Sequence, residues 1–114
     1  MCVIYILSGR VFGKNIYEID CTSDINDRLS SEVTGFPHLN ILHYSSNIEH
    51  IDIQTCQNLI IDSLYNYKMK NNNSFYKLDL NEAIEQISKI VSNITYEIQQ
   101  IERKQVTKKS CFHS

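Results

Sequence analysis

A stripe of large apolar residues near the C-terminus constrains the fold more than any other feature of this 114-residue chain. Leu80, Ile84, Ile87, Val91, Ile94, Ile98 and Ile101 recur at alternating steps of four and three. That spacing is a heptad stripe and demands an amphipathic helix, not a strand. Asp79 and Glu82 precede it at capping-box spacing, with Asp in the capping position. The helix predicted over 79–104 spans roughly 37 Å at the standard rise. A domain of this length has a radius of gyration of about 13 Å, so the part beyond Val91 is expected to project. Isoleucines left in water cost about 25 cal/mol per Å² of apolar area. Val91, Ile94, Ile98 and Ile101 are therefore expected to form an oligomer interface, with a coiled coil between copies. The plainer alternative folds the stripe back onto the same domain.

The rest of the chain reads as an α+β domain. Cys2 to Leu7 is a β-branched and aromatic run, and predicts a buried strand. Gly9 and Gly13-Lys14-Asn15 are turn chemistry. Ile16 to Asp20 is a second strand, joined to the first as an antiparallel hairpin. Thr22 or Ser23 is a helix cap, with Asp24 in the first turn. Ile25, Leu29 and Val33 follow at helical spacing, and the helix is expected to stop near Thr34-Gly35 before Pro37. Leu39 to Tyr44 predicts a third strand, and Ser45 to Glu49 a polar loop. A second helix is expected from about His50 to Lys68, with Ile53, Cys56, Ile60, Leu64 and Tyr67 as its apolar stripe. Phe75 to Leu78 is a short extended segment. The expected architecture is a small three-stranded antiparallel sheet flanked by helices, with a long C-terminal amphipathic helix.

Charge narrows the function classes. The formal net charge is −2 and the sequence pI about 6.0, without the basic excess of a dedicated nucleic-acid binder. A local basic cluster does occur at Arg103, Lys104, Lys108 and Lys109, followed by His113; residues 105–114 read as a solvated basic tail. The four cysteines, Cys2, Cys21, Cys56 and Cys111, form no C-x-x-C pair. With the four histidines they complete no zinc-finger spacing. Cys56 sits on an apolar stripe and reads as a buried structural thiol. The six-residue apolar run at Cys2 to Leu7 is too short for a signal peptide or a membrane span. An intracellular protein with reduced thiols and no membrane partner is expected.

Two short segments carry a family resemblance. Val3-Ile4-Tyr5 is similar to a GIY tripeptide with Val in place of Gly. Glu18-Ile19-Asp20 stands where the family has YIG, or KIG in its small viral and bacterial branch. Thr22-Ser23-Asp24-Ile25-Asn26-Asp27-Arg28-Leu29 is similar to that branch's T-x-D-hydrophobic-x-x-R-hydrophobic segment. Phe36-Pro37, Leu59 to Leu64 and Ser74-Phe75-Tyr76 fall in the matching places and order. Residues 1–92 thus resemble a domain of the GIY-YIG nuclease-like superfamily, degenerate at its motif positions.

The resemblance implies a site chemistry. Phosphodiester hydrolysis needs an activated nucleophile, charge stabilisation and positioning. The family supplies these with hairpin tyrosines, an arginine on the first helix and a metal-binding glutamate on the second. Tyr5 and Arg28 match the first tyrosine and the arginine. Gln57 falls at the metal-binding glutamate, and an amide there keeps the shape but loses the charge. Glu18 and Asp20 replace a tyrosine or lysine and a glycine. Lying two apart on a strand, they share one face and would repel phosphate, or else form a relocated metal site. The plainer readings are a core tyrosine, an Arg28 salt bridge with Asp24, a rim glutamine and exposed acids. Nucleic-acid contact, if retained, is expected at Arg28 and Lys14.

Three functional readings follow. A degenerate, catalytically inactive GIY-YIG-like domain would act in nucleic-acid or protein binding, or bind its own copies through the last helix, and needs no cofactor. An active DNA endonuclease would require Mg²⁺ or Mn²⁺. An unrelated viral host-interaction protein would make the similarity accidental.

Overall fold

The computed structural model describes residues 2–9, 12–29, 41–49, 51–70 and 74–113; in the last helix, side chains are described through 97 and at 100 and 101. The elements are β1 (Cys2–Ser8), β2 (Ile16–Thr22), α1 (Ile25–Leu29), β3 (Ile41–Ile48), α2 (Ile53–Ser63), β4 (Phe75–Lys77) and α3 (Leu80–His113). A 3₁₀ turn, Tyr65–Tyr67, follows α2. The fold is α+β as expected, but the antiparallel sheet has four strands rather than three, in the order β3-β1-β2-β4.

β1 is the centre of the sheet. Its apolar run has no polar alternation, and residues 2–7 are buried on both faces. Even-numbered Cys2, Ile4 and Ile6 join Ile19 and Cys21 of β2 in the main core. Helices α2 and α3 close that face through Cys56, Ile60, Ala83, Ile87, Ile90 and Ile94. Odd-numbered Val3, Tyr5 and Leu7 point the other way, since side chains alternate along a strand. The β1–β2 hairpin turns through left-handed backbone at Gly13 (φ 90°) and Asn15 (φ 58°), the residue types that tolerate it.

The structure departs from the sequence reading in several places. Ser45, Ser46 and Asn47, expected in a loop, extend β3 because they pair with Tyr5, Ile4 and Val3 along the length of β1. Satisfying the backbone of a central strand outweighs the low strand propensity of serine and asparagine. The cap of α1 is Asp24, which accepts from Asn26 N (3.0 Å) and Asp27 N (3.2 Å); Thr22 Oγ1 accepts from Asp24 N in turn. α2 starts at Asp52, whose carboxylate accepts from Thr55 N at 2.7 Å, and ends earlier than expected, at Ser63. The chain then turns so that Met69 N can donate to Phe75 O and Lys68 can bridge Tyr76. The expected end of α1 near Thr34-Gly35, the segment at Phe36-Pro37 and the start of the third strand at Leu39 lie outside the described residues.

The last helix also differs. It continues to His113, so residues 105–113 extend it. Thirty-four residues at the standard rise span about 51 Å, consistent with a molecule 62 Å long. Its buried face is Ala83, Ile87, Ile90 and Ile94, flanked by Leu80, Ile84 and Val91. Ile94, in the part expected to project, is instead only 6% exposed, and Val91, expected at an oligomer interface, packs against the domain core. The helix lies against α2 and β3. Ile101 is 57% exposed, and the side chain of Ile98 lies outside those described.

Candidate functional site

Three sequence-predicted site residues meet on the sheet face turned away from α2 and α3. Tyr5 on β1 pairs with Asp20, and Leu7 with Glu18. Tyr5 and Glu18 are therefore diagonal neighbours on one face, within reach of long side chains. Tyr5 Oη donates to Glu18 Oε2 at 2.8 Å. Arg28 Nε donates to Tyr5 Oη at 3.1 Å, and Arg28 Nη2 donates to Glu18 Oε1. Asp24 caps α1 and sets its first turn, which brings Arg28 over the sheet. The salt bridge of Arg28 is thus with Glu18; Asp24, its expected partner, spends its carboxylate on the helix cap. Arg28 Nη1 is buried and has no hydrogen-bond partner among the described residues.

The environment decides what these groups can do. Tyr5 and Glu18 are 2% and 4% exposed. Burial, then the adjacent Glu18 carboxylate, pushes the Tyr5 phenol well above its ordinary value. The phenol is therefore a hydrogen-bond donor at neutral pH and not a base. Burial alone would lower the Arg28 guanidinium, but its bonds to Glu18 and Tyr5 outweigh that and hold it above its ordinary value. The group is a fixed cation facing a carboxylate.

The remaining predicted residues lie elsewhere. Asp20, expected beside Glu18 as an exposed pair, turns to other partners: Oδ1 accepts from Cys21 N (2.8 Å) and Oδ2 from Ser74 Oγ (2.9 Å). Gln57 of α2 lines a cleft of about 180 Å³ with Asp20, Gln54 and Ser74. The five motif positions therefore split into a buried Tyr5–Glu18–Arg28 network and a separate Asp20–Gln57 cleft. Among the described residues, Glu18 and Asp20 belong to no group of three acid, histidine or cysteine ligands. Lys14 is exposed on the β1–β2 turn.

Two further constellations were not visible in the sequence. Ser8 Oγ and His43 Nε2 lie 2.7 Å apart, with Tyr17 edge-on to the imidazole. The pairing of β1 with β3 shifts between Ile6 and Leu7, which leaves His43 as the extra residue; such bulges re-aim a side chain. Cys2, Cys21 and Cys56 converge in the core, from β1, β2 and α2. Burial pushes the Cys2 thiol up to about 11. The hydrogen bond to Cys56, and then burial, raises Cys21, while the same bond lowers Cys56. Neither grouping has a local spacing signal, since strand pairing creates both. No family model matches the chain, and neither a curated protein nor a solved structure matches it significantly.

Two measurements test the network. Arg28→Ala leaves the Glu18 carboxylate buried without its cation, and chemical denaturation should show a loss of about 3 kcal/mol. A loss under about 0.5 kcal/mol, the usual effect of a surface change, would mean that Glu18 is solvated. The second measurement uses pH. The folded chain keeps a proton on Tyr5 that the unfolded chain releases above pH 10. This stability is fully present below pH 10 and is lost as the pH rises towards the folded value. Stability of the wild type should fall more steeply than that of Tyr5→Phe above pH 10, by up to about 1.4 kcal/mol per pH unit. Parallel slopes would contradict the raised phenol.

Proposed function

We propose that this chain is a degenerate, catalytically inactive GIY-YIG-like domain that acts through binding. The observation that carries this reading is the Tyr5–Glu18–Arg28 network. In the family resembled, the tyrosine and arginine serve a phosphate. Here a carboxylate at the second motif consumes both, and the guanidinium and carboxylate charges sum to zero. A phosphate approaching this face gains no net attraction and would have to compete with an internal ion pair. Gln57, at the position of the metal-binding glutamate, offers no charge to a hard cation, which prefers anionic oxygen. Positioning groups without an activated nucleophile do not hydrolyse a phosphodiester.

The binding surface proposed is the distal part of α3. Its apolar spacing continues past Ile94 to Ile98 and Ile101. Ile101 is 57% exposed. A second copy presenting the same spacing would cover them as a coiled coil. The interface is shorter than the sequence reading proposed, since Val91 and Ile94 already pack on their own domain.

Light scattering on purified protein should give a mass above one chain, and Ile101→Asp should shift it towards the monomer at equal concentration. A monomeric wild type would remove the self-association reading. Plasmid cleavage in Mg²⁺ or Mn²⁺ should yield no nicking above a buffer control. Metal-dependent nicking that disappears in Arg28→Ala would establish the active endonuclease instead, with Arg28 released from Glu18 when DNA binds.

A further inference from the structure

Three of the chain's four cysteines meet in one place. Cys2 opens β1, Cys21 is near the end of β2, and Cys56 is in the first turns of α2. Their sulfur atoms all lie within 4.8 Å of one another, and the residues are 0%, 6% and 0% exposed. A lone buried cysteine is an ordinary small hydrophobe. Three from separate elements with their sulfurs turned together form a ligand set. Metal–sulfur bonds of about 2.3 Å place the sulfurs of a trigonal or tetrahedral site about 4 Å apart. The cluster needs only a small contraction to close on an ion.

The geometry points to a binding site for a soft monovalent cation, copper(I), held by the thiol sulfurs of Cys2, Cys21 and Cys56. Ligand type and number select the ion. The group contains sulfur alone, with no imidazole or carboxylate among the described residues. Structural zinc sites close at four ligands, and three sulfurs leave one position open. Hard cations want oxygen. Thiolate sulfur selects copper(I), which accepts three-coordinate geometry. Binding forms copper–sulfur bonds as one thiol proton passes to solvent; no electron is transferred. One thiolate balances the single charge of the ion, and the other two sulfurs donate as thiols, so the unit is neutral in its apolar setting. Asp20 and Gln57, the sequence neighbours of Cys21 and Cys56, line a cleft between β2 and α2.

The test uses the full chain carrying Cys111→Ser, so that the three clustered residues supply its only thiols. Copper(I) is delivered anaerobically from a coloured copper(I)–chelator complex. One equivalent should transfer to this protein, and X-ray absorption should show three sulfur neighbours at about 2.3 Å. Adding Cys56→Ala should weaken binding on the order of a hundredfold. Alanine suits the buried position, and circular dichroism checks folding. If that variant does not fold, the absorption spectrum of the folded protein decides alone. No transfer, a shell dominated by nitrogen or oxygen, or unchanged affinity in a folded Cys56→Ala variant would overturn the site. Zinc(II) should fail to displace the copper(I). Zinc held more tightly, with four ligands, would overturn the assignment to a soft monovalent ion.

Discussion

Strand β1 is buried on both faces, and most of the structure follows from that constraint. Residues 2–7 have almost no contact with water. A strand in this position must pair on both edges, and β2 and β3 do so. It must also be covered above and below. On one face the cover is the α2–α3 helix pair, whose Ile60, Ile87 and Ile94 share one buried cluster with Ile4 and Ile6. On the other face, the polar atom β1 brings inside is the Tyr5 hydroxyl, and it cannot be left unpaired there without cost.

The Tyr5–Glu18–Arg28 network answers that requirement. Glu18 accepts from the hydroxyl, and Arg28 both neutralises Glu18 and donates to the same hydroxyl. Each member is tolerable in the interior because the other two are there. Removing Arg28 or Glu18 leaves the other as an uncompensated buried charge. The same closure turns the donors and acceptors of the network towards each other. Groups that look catalytic when named singly become a structural unit once their partners are known.

The opposite face carries a different kind of polar content. The three thiols sit among aliphatic side chains, where a neutral S–H is cheap to bury and a thiolate is not. They occupy the meeting point of β1, β2 and α2, so anything binding them would tie both central strands to the helix. Coupling of a site to the core in this way makes ligand binding also a stabilisation of the fold.

Local pattern determined a good deal. The β-branched run at residues 2–7, the turn at Gly13 to Asn15 and the heptad stripe from Leu80 are short-range signals, and each became the expected element. That Arg28 belongs with Tyr5 is suggested by the family resemblance alone; the residues themselves point to an Arg28–Asp24 pair, and it is Glu18 that Arg28 meets. What sequence did not disclose depends on non-local pairing. Ser45 to Asn47 are strand residues only because β1 offers them partners, and Ile94 is core because α3 packs on α2 and β3. Glu18 and Asp20 share a strand face, yet one is drawn to Arg28 on the neighbouring helix and the other to Ser74, far later in the chain. The cysteines are 19 and 35 residues apart and match no ligand spacing, but antiparallel pairing and one helix crossing place their sulfurs together. Periodicity records which face of an element is apolar. It does not record which face of another element will meet it, and that choice belongs to the tertiary structure.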